Sequence, residues 1–337
     1  MALLPVLLKF QCFVLLLWLE LAFAEIPSTA SEVIAIPGCR DRCGKVSIPY
    51  PFGIGVGCFR SKEFIIECQD NLPRYQGVLN VTSISVLDGQ MTFESGIART
   101  CSYEDVSTII FGLGIFTLST TKNKLISIGC DTWARINGDP YIGKGCSDCT
   151  VKEAATNGSC GIGCCETSIS AGVKKYNVTI ERQSSKVNPY LSFNPCIYGF
   201  IIDKSSFRFS SSYLQDFKNN GSGSVPVVAD WTIGVETCDA ASRNATSYAC
   251  GPNTVCKPGN NIAPGYLCDC KPGFAGNPYL NISTGGHCQE ISKCNDNSIL
   301  GCSPPPRSKV GKIIAGTYLS LSLLLVTSFT LGGYLKN

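Results

Sequence analysis

Cysteine is the feature that most limits how this chain can fold. There are 21 cysteines in 337 residues, and nearly all of them lie between Cys39 and Cys302. At this density a cytosolic chain would use its thiols for metal binding or redox chemistry, whereas a secreted chain pairs them into a disulfide framework. The cellular compartment therefore decides whether these cysteines are thiols or disulfides, and the two ends of the chain indicate the compartment.

The N-terminal residues 1–24 have the pattern of a signal peptide. Lys9 precedes an apolar run, and Ala22-Phe23-Ala24 supplies the small residues that signal peptidase requires, so cleavage is predicted after Ala24. A retained membrane anchor is the alternative, but the apolar run is short for a span. Cleavage would remove Cys12 and leave an even number of cysteines, as complete pairing requires. The next residues, 25–37, are predicted to form a flexible N-terminus.

An apolar stretch near the C-terminus predicts a membrane anchor. Residues 313–335 carry no charge and are long enough to cross a bilayer as one transmembrane helix. The same residues also fit the signal for a GPI lipid anchor, because a polar spacer over 304–312 precedes them and Gly301 and Ser303 are small residues suited to the attachment site. Both alternatives place the chain at the plasma membrane, with the N-terminal region outside the cell.

Six Asn-x-Ser/Thr sequons lie in the mature region, which predicts a glycosylated surface for a secreted chain. They are Asn80, Asn157, Asn177, Asn220, Asn244 and Asn281.

The middle of the chain has the sequence pattern of an all-β protein. Short β-branched runs alternate with turn residues about every 8–12 positions, and no long run has the period of an amphipathic helix. Alternation in one run places Leu79, Val81, Ser83 and Ser85 on one face. The predicted fold class is therefore mainly β, a disulfide-rich, multi-module ectodomain. Strands are predicted over 64–68, 79–86, 112–118, 125–128, 175–182, 198–202 and 225–233.

The cysteine spacing over 235–288 resembles an EGF-like module. Its specific part is the single residue between Cys268 and Cys270, followed by Gly273-Phe274 and Gly276. A unit with so little apolar core depends on disulfides for its stability. Glu236 is the one carboxylate just before the first cysteine, too few oxygen ligands for tight calcium binding, so no metal site is predicted. The resemblance implies the pairing Cys238–Cys256, Cys250–Cys268 and Cys270–Cys288.

Residues 289–312 resemble the stump of a second EGF-like unit followed by a Pro-rich juxtamembrane spacer. The two cysteines in this stretch, Cys294 and Cys302, are predicted to bond to each other.

The N-terminal cysteine motifs are equally specific. Cys39-Arg40-Asp41-Arg42-Cys43-Gly44, Tyr50-Pro51-Phe52-Gly53-Ile54-Gly55 and Gly57-Cys58-Phe59 resemble the galacturonan-binding domain of plant wall-associated receptor kinases. Asn277-Pro278-Tyr279-Leu280 also looks like these proteins. The resemblance implies an ectodomain that contacts pectin, a polymer of galacturonic acid. We assign residues 38–131 to the galacturonan-binding domain and 132–234 to a second cysteine-rich β module.

A polyanion such as galacturonan calls for Arg and Lys side chains, and Arg can hold a carboxylate with two parallel hydrogen bonds. Residues 25–130 carry 9 basic and 10 acidic side chains, so ordinary solvated charge is the alternative interpretation of any basic cluster here. Tyr50, Phe52 and Phe59 could stack on sugar rings, but core packing is the favoured interpretation. The candidate galacturonan contacts are Arg40, Arg42, Lys45, Arg60 and Lys62.

Catalytic machinery is not recognisable in the sequence. The kinase motifs His-Arg-Asp and Asp-Phe-Gly do not occur, and His287, the one histidine, adjoins Cys288, which argues against a catalytic triad. The Cys146/Cys149 pair has zinc-like spacing, but disulfides are favoured in an oxidising compartment. We expect no enzyme activity, no cofactor and no metal, and the net charge of +3 argues against a nucleic-acid partner.

The favoured function is binding of pectin or oligogalacturonides at the cell surface, for wall attachment or sensing without an intrinsic kinase. The alternative is a protein-interaction ectodomain that acts as a co-receptor or decoy for a peptide or for another receptor. The absence of a kinase also leaves open a truncated transcript or gene model.

Overall fold

Extended strands form most of the regular structure, because the β-branched runs are short and turn residues separate them. The computed structural model describes residues 34–101, 106–138, 143–147, 160–161, 163–182, 192–217, 223–259 and 265–291. Short helices and many strands in this part of the chain confirm the mainly β fold class. The strands are β1 Arg42–Cys43, β2 Val46–Ser47, β3 Ile66–Gln69, β4 Leu72–Tyr75, β5 Leu79–Ser85, β6 Gln90–Gly96, β7 Ala98–Thr100, β8 Ser107–Gly112, β9 Thr117–Leu118, β10 Asn123–Ile128, β11 Thr132–Gly138, β12 Gly143–Ser147, β13 Cys164–Ser168, β14 Lys175–Arg182, β15 Ile197–Asp203, β16 Ser224–Asp230, β17 Thr254–Pro258, β18 Tyr266–Cys270, β19 Phe274–Ala275 and β20 Gln289–Glu290.

These strands form three larger sheets and three two-stranded hairpins. The largest sheet has six strands in the order β3-β4-β5-β6-β16-β9, and two four-stranded sheets have the orders β13-β10-β15-β7 and β12-β11-β14-β8. The hairpins are β1-β2, β17-β18 and β19-β20. Within the described ranges, one α-helix, α1, spans Cys238–Ser242, and 3-10 helices span Lys62–Phe64, Lys204–Ser206 and Ser211–Leu214.

Strands from distant parts of the chain share sheets. Strand β16 pairs antiparallel with β6 over seven residue pairs, from Ser224↔Gly96 to Asp230↔Gln90, and also with β9. In a second sheet, β15 pairs with β10 on one side and with β7 on the other. The predicted modules 38–131 and 132–234 therefore contribute strands to the same sheets.

An aromatic cluster lies at the centre of the core. The ring of Phe52 is 5.1 Å from that of Phe64 and 5.2 Å from that of Trp231, in edge-to-face contacts. Trp231 also contacts Tyr279 of the EGF-like segment at 5.6 Å. Each such aromatic pair adds about 0.5–1.5 kcal/mol to the stability gained from burial, so the cluster holds three distant segments of the chain together.

The sequence alternation in β5 does not continue along the whole strand. Val81 pairs with Phe93 and Ser83 pairs with Thr92, so Thr82 is an extra residue that forms a β-bulge. After the bulge Ser83 is exposed, and Ile84 packs against the core instead. The prediction that Ser83 shares a face with Leu79 and Val81 was therefore wrong, because a bulge reverses the side-chain alternation.

Among the predicted strands, 175–182 coincides with β14, and 125–128 and 198–202 lie inside β10 and β15. The stretch 112–118 is not one strand. Strand β8 ends at Gly112, and the Phe116 N–H donates to the Leu113 carbonyl at 3.0 Å across a turn. Gly114, with φ of +60°, permits this turn, and β9 begins after it.

Seven disulfides join described cysteines, and three of them lie in the EGF-like segment. These three are Cys238–Cys256, Cys250–Cys268 and Cys270–Cys288, the pairing that the family resemblance implies. The other four are Cys39–Cys58, Cys43–Cys68, Cys101–Cys196 and Cys160–Cys164.

The predicted flexible N-terminus, 25–37, includes two buried apolar residues. Ile34 and Ala35 are buried, and the Ile34 carbonyl accepts a hydrogen bond of 2.8 Å from the Tyr50 N–H. Burial of their apolar side chains favours packing of this short stretch against the core.

Several sequence predictions fall outside the described residues. They are the signal peptide 1–24, the transmembrane or lipid-anchor stretch 313–335, the Cys294–Cys302 bond and the sequons Asn157 and Asn220. None of the helices in the described part of the chain has the length and apolarity to cross a membrane.

Candidate functional site

Two disulfides fix the N-terminal hairpin β1-β2. Cys39 bonds to Cys58, which ends a glycine-rich loop, and Cys43 at the end of β1 bonds to Cys68 in β3. The hairpin is short, with two residue pairs, Arg42↔Ser47 and Cys43↔Val46. Hairpins of this size are unstable alone, so the disulfides are what hold its turn in place.

The turn of this hairpin packs against the turn between β3 and β4. A Cβ on Gly44 would lie 2.3 Å from the Asn71 carbonyl oxygen, so a side chain cannot fit at this position. Gly44 also has a positive φ of 57°, which glycine adopts without strain. The sequence motif Cys43-Gly44 therefore serves the close contact between the two turns.

Three of the five predicted contact residues lie together around Asn71. The Arg40 guanidinium donates a 3.3 Å hydrogen bond to Asn71 Oδ1, and the Arg42 guanidinium donates one of 3.0 Å to the Lys45 carbonyl. Arg40, Arg42 and Lys45 are all exposed. We call these three residues the basic hairpin face.

Arg60 lies in a different environment from the basic hairpin face. It is half-buried, and its guanidinium donates a hydrogen bond to the backbone carbonyl of Ser247, which belongs to the EGF-like segment. The structure therefore gives Arg60 a contact between two parts of the chain.

Lys62 is exposed and begins a 3-10 helix that also contains Glu63. A hydrogen bond from the Ser61 side chain holds the pKa of Glu63 below its usual value, and the positive charge of Lys62 lowers it further. The Lys62 charge is thus partly balanced by a neighbouring carboxylate.

Positive charge that forms no ion pair is the main electrostatic property of the basic hairpin face, in which Asp41 separates the two arginines in sequence. Within the described ranges, neither of its arginines nor Lys45 forms an ion pair with a carboxylate, whereas Lys124, Arg135 and Lys257 do. The two arginines donate only to neutral oxygens, so their charge is available to an external anion.

The aromatic residues near the hairpin are core residues. Phe52 is fully buried, and Tyr50 and Phe59 are half-buried and pack against the same core. Phe52 therefore has no surface on which a sugar ring could stack, in agreement with the sequence interpretation.

The role of Asn277 could not be foreseen from the sequence. Asn277 is fully buried, and its side-chain amide donates to the backbone carbonyls of Tyr50 and Ile34 at 2.7 and 3.2 Å. Two residues further on, the Tyr279 hydroxyl accepts the Cys268 N–H at 3.0 Å, and burial raises the pKa of this hydroxyl. The signal in the sequence is the Asn277-Pro278-Tyr279-Leu280 motif, to which the sequence alone assigns no structural role.

The EGF-like segment shows no cation site in the part of the chain that the structure describes. No group of three or more His, Cys, Asp or Glu side chains there has an arrangement that could hold a metal ion.

Comparison with known proteins finds a family match in the N-terminal part of the chain. Residues 39–95 match the family described as "Wall-associated receptor kinase galacturonan-binding". The chain is 30% identical to wall-associated receptor kinase 1 of Arabidopsis thaliana over 294 residues, covering 81% of this chain and 38% of the relative. It is 34% identical to wall-associated receptor kinase 5 of the same plant, covering 79% of this chain and 36% of the relative.

A more distant relative is wall-associated receptor kinase-like 10 of Arabidopsis thaliana, at 26% identity over 84% of this chain and 42% of the relative. The chain thus spans less than half the length of the curated relatives that it matches. No solved structure matches it.

Proposed function

Because this chain contains the galacturonan-binding domain of wall-associated receptor kinases and resembles those kinases over about four fifths of its own length, we propose that it binds pectin of the plant cell wall. The function assigned to the described residues is binding, with no catalytic step. The proposed location is the plasma membrane, with this region outside the cell and one C-terminal span or lipid anchor.

The observation that carries the proposal is the exposed, unpaired charge of the basic hairpin face. Arg40, Arg42 and Lys45 project from a hairpin that two disulfides hold in place. Galacturonan carries one carboxylate on each unesterified sugar, so neighbouring cations can contact successive sugars. Arg can do so with two parallel hydrogen bonds, and Lys acts as a point charge.

The strength of binding has to come from several weak contacts. An exposed ion pair contributes only about 0.2–1 kcal/mol. A polymer presents many equivalent carboxylates, however, so that a second contact follows the first at high effective concentration. Binding of this kind is expected to weaken as salt is added, because exposed charges are screened.

The test is retention of the secreted chain on immobilised polygalacturonate. The variant R40E/R42E/K45E reverses the charge of the basic hairpin face. It is expected to weaken retention by about tenfold or more, since three favourable contacts become repulsive. The matched control K174E/K204E/R208E changes the net charge by the same amount at exposed positions outside residues 39–95. It should retain binding, and fully methyl-esterified pectin should not be bound by the wild type.

Three results would count against this assignment. Unchanged retention of R40E/R42E/K45E would show that the basic hairpin face is not the contact. Equal loss in both triple variants would show that only net charge matters. No retention of the wild type at low salt would favour the alternative of a protein-interaction ectodomain.

A further inference from the structure

Among the strands that the structure describes, β8 is an edge strand whose own sequence lacks the usual protective residues. It ends the four-stranded sheet β12-β11-β14-β8, and its sequence Ser-Thr-Ile-Ile-Phe-Gly has neither charge nor proline. Edge strands in soluble proteins normally carry such residues, because their free backbone N–H and C=O groups can pair with another chain. A six-residue, uncharged, β-branched segment in this position is an aggregation hazard.

Strand β8 carries an exposed apolar side chain, Ile110, which is 67% exposed. Its direct partner on the neighbouring strand β14 is Asn177, and the partner of Asn177 on the other side is Asn137 of β11. Residues directly opposite each other project from the same face with Cβ atoms about 5 Å apart. Ile110, Asn177 and Asn137 therefore form one row across the sheet.

This row lies on the solvent side of the sheet. Val178 and Ile180, which alternate with the sequon residues along β14, are fully buried, so Asn177 and Thr179 project from the opposite face. Ile110 and Asn137 in the same row are exposed. Thr179 Oγ1 lies 3.2 Å from Thr108 Oγ1 of β8. Asn177 and Thr179 thus lie on the solvent-side face beside the β8 edge, where Asn177 is half-buried with its Oδ1 covered and without a hydrogen-bond partner among the described residues, and Thr179 is only 8% exposed.

We infer that Asn177 carries an N-linked glycan whose first sugars cover Ile110 and protect the β8 edge from pairing with another chain. In the transfer, Asn177 Nδ2 bonds to the anomeric carbon of a lipid-diphosphate-linked oligosaccharide. The bond from that carbon to the diphosphate oxygen breaks, and the lipid diphosphate and one amide proton are released. The inference rests on the proposed secretory routing of the chain, because the donor is found there.

Asn80 provides a contrast on another sheet. It is exposed on β5, but its direct cross-strand partner is Arg74. A glycan at Asn80 would lie over a charged side chain on a strand that has partners on both sides, β4 and β6, so it would have no free strand edge to cover. The two sequons therefore predict different consequences when each is removed.

The first measurement is site occupancy in the full chain secreted from a eukaryotic host. Release of N-glycans by a peptide N-glycosidase in 18O-labelled water converts each occupied Asn to a labelled Asp, which peptide mass spectrometry locates. We expect label at Asn177 in most of the secreted protein. An unlabelled Asn177 overturns the inference.

The second measurement tests shielding by the yield of secreted monomer on size-exclusion chromatography. N177Q and T179A both remove the sequon and should lower the monomer fraction several-fold, whereas N80Q should not. The added substitution I110T should restore the monomer in both cases, because it removes the apolar side chain.

Each possible outcome of the second measurement is informative. Failure of I110T to restore the monomer, or equal loss in N80Q, overturns shielding, because a folding defect in β14 itself would not respond to a change in β8. Neither readout depends on pectin, so failure here is distinguishable from failure of the proposed function.

Discussion

The side-chain amide of Asn277 donates a 2.7 Å hydrogen bond to the backbone carbonyl of Tyr50, 227 residues earlier in the chain. The same amide donates to the Ile34 carbonyl, and its Oδ1 accepts the Tyr279 N–H at 3.0 Å. One buried side chain thus satisfies three backbone groups that would otherwise lie away from water. It joins the EGF-like segment to the N-terminal domain.

Substitution of Asn277 by Ala should therefore destabilise the chain. It leaves the carbonyls of Tyr50 and Ile34 without their donor, and a buried polar group left unsatisfied costs about 1–3 kcal/mol. Urea unfolding followed by tryptophan fluorescence is a suitable measurement, because Trp231 packs on Tyr279. The control N137A, at an exposed position, should change the free energy of unfolding by less than about 0.5 kcal/mol. Equal stability of N277A and wild type would show that the Asn277 hydrogen bonds do not stabilise the contact between the EGF-like segment and the N-terminal domain.

Much of the local structure could be predicted from the sequence. Strand β14 coincides with its predicted bounds, because an eight-residue β-branched run between turn residues has few alternatives. The bulge at Thr82 could not be predicted, since it depends on the pairing of β5 with β6. The position of β16 between β6 and β9 could not be predicted from the sequence either, because no local pattern encodes a partner more than a hundred residues away.

The candidate site could also be predicted from the sequence only in part. Arg40, Arg42 and Lys45 are close in sequence, and the hairpin keeps them close in space. Arg60 appeared equivalent by charge and spacing, but its partner Ser247 is 187 residues away. The contact belongs to tertiary packing, which composition and spacing do not report.

Arg60 is accordingly expected to contribute less to ligand binding than the basic hairpin face. R60Q should change polygalacturonate affinity by less than about twofold, the range of a weak surface charge effect. It should also increase the rate of limited proteolysis in the EGF-like segment, because the contact with the Ser247 carbonyl is lost. R42Q is the matched comparison, with the opposite pattern of weaker binding and unchanged proteolysis. If R60Q weakens binding as much as R42Q, Arg60 belongs to the ligand site.

Removal of the Cys43–Cys68 disulfide should affect both stability and binding. The bond closes a sequence separation of 25 residues, for which loop-closure entropy predicts a stabilisation of about 2–4 kcal/mol. The double variant C43A/C68A should unfold at lower denaturant and lose polygalacturonate retention, because the hairpin turn carrying Lys45 is released. The Cys160–Cys164 bond spans a separation of only 4 residues outside the matched domain. C160A/C164A should retain binding, and binding that survives in C43A/C68A would separate the hairpin from the ligand.

The stability of the chain should fall at alkaline pH because tyrosine hydroxyls are buried. Burial raises the pKa of Tyr75 to about 12, against about 10 in an unfolded chain. Between these values the unfolded state loses the proton while the folded state keeps it, so the unfolded state binds fewer protons and stability decreases as pH rises. The slope for one tyrosine is about 1.4 kcal/mol per pH unit.

Burial raises the pKa of Tyr176 and Tyr279 in the same direction, which adds to this loss. Y75F removes one titrating group and should make the alkaline decrease shallower by one tyrosine. At neutral pH it should cost about 1 kcal/mol for each hydrogen bond lost. Gln76 donates to the Tyr75 hydroxyl at 3.2 Å, and the Ile115 backbone also hydrogen-bonds to it. Urea midpoints measured within minutes of transfer to pH 9, 10 and 11 would test this, before disulfide exchange proceeds. Parallel pH profiles for Y75F and wild type would show that the Tyr75 hydroxyl is not buried in the folded chain.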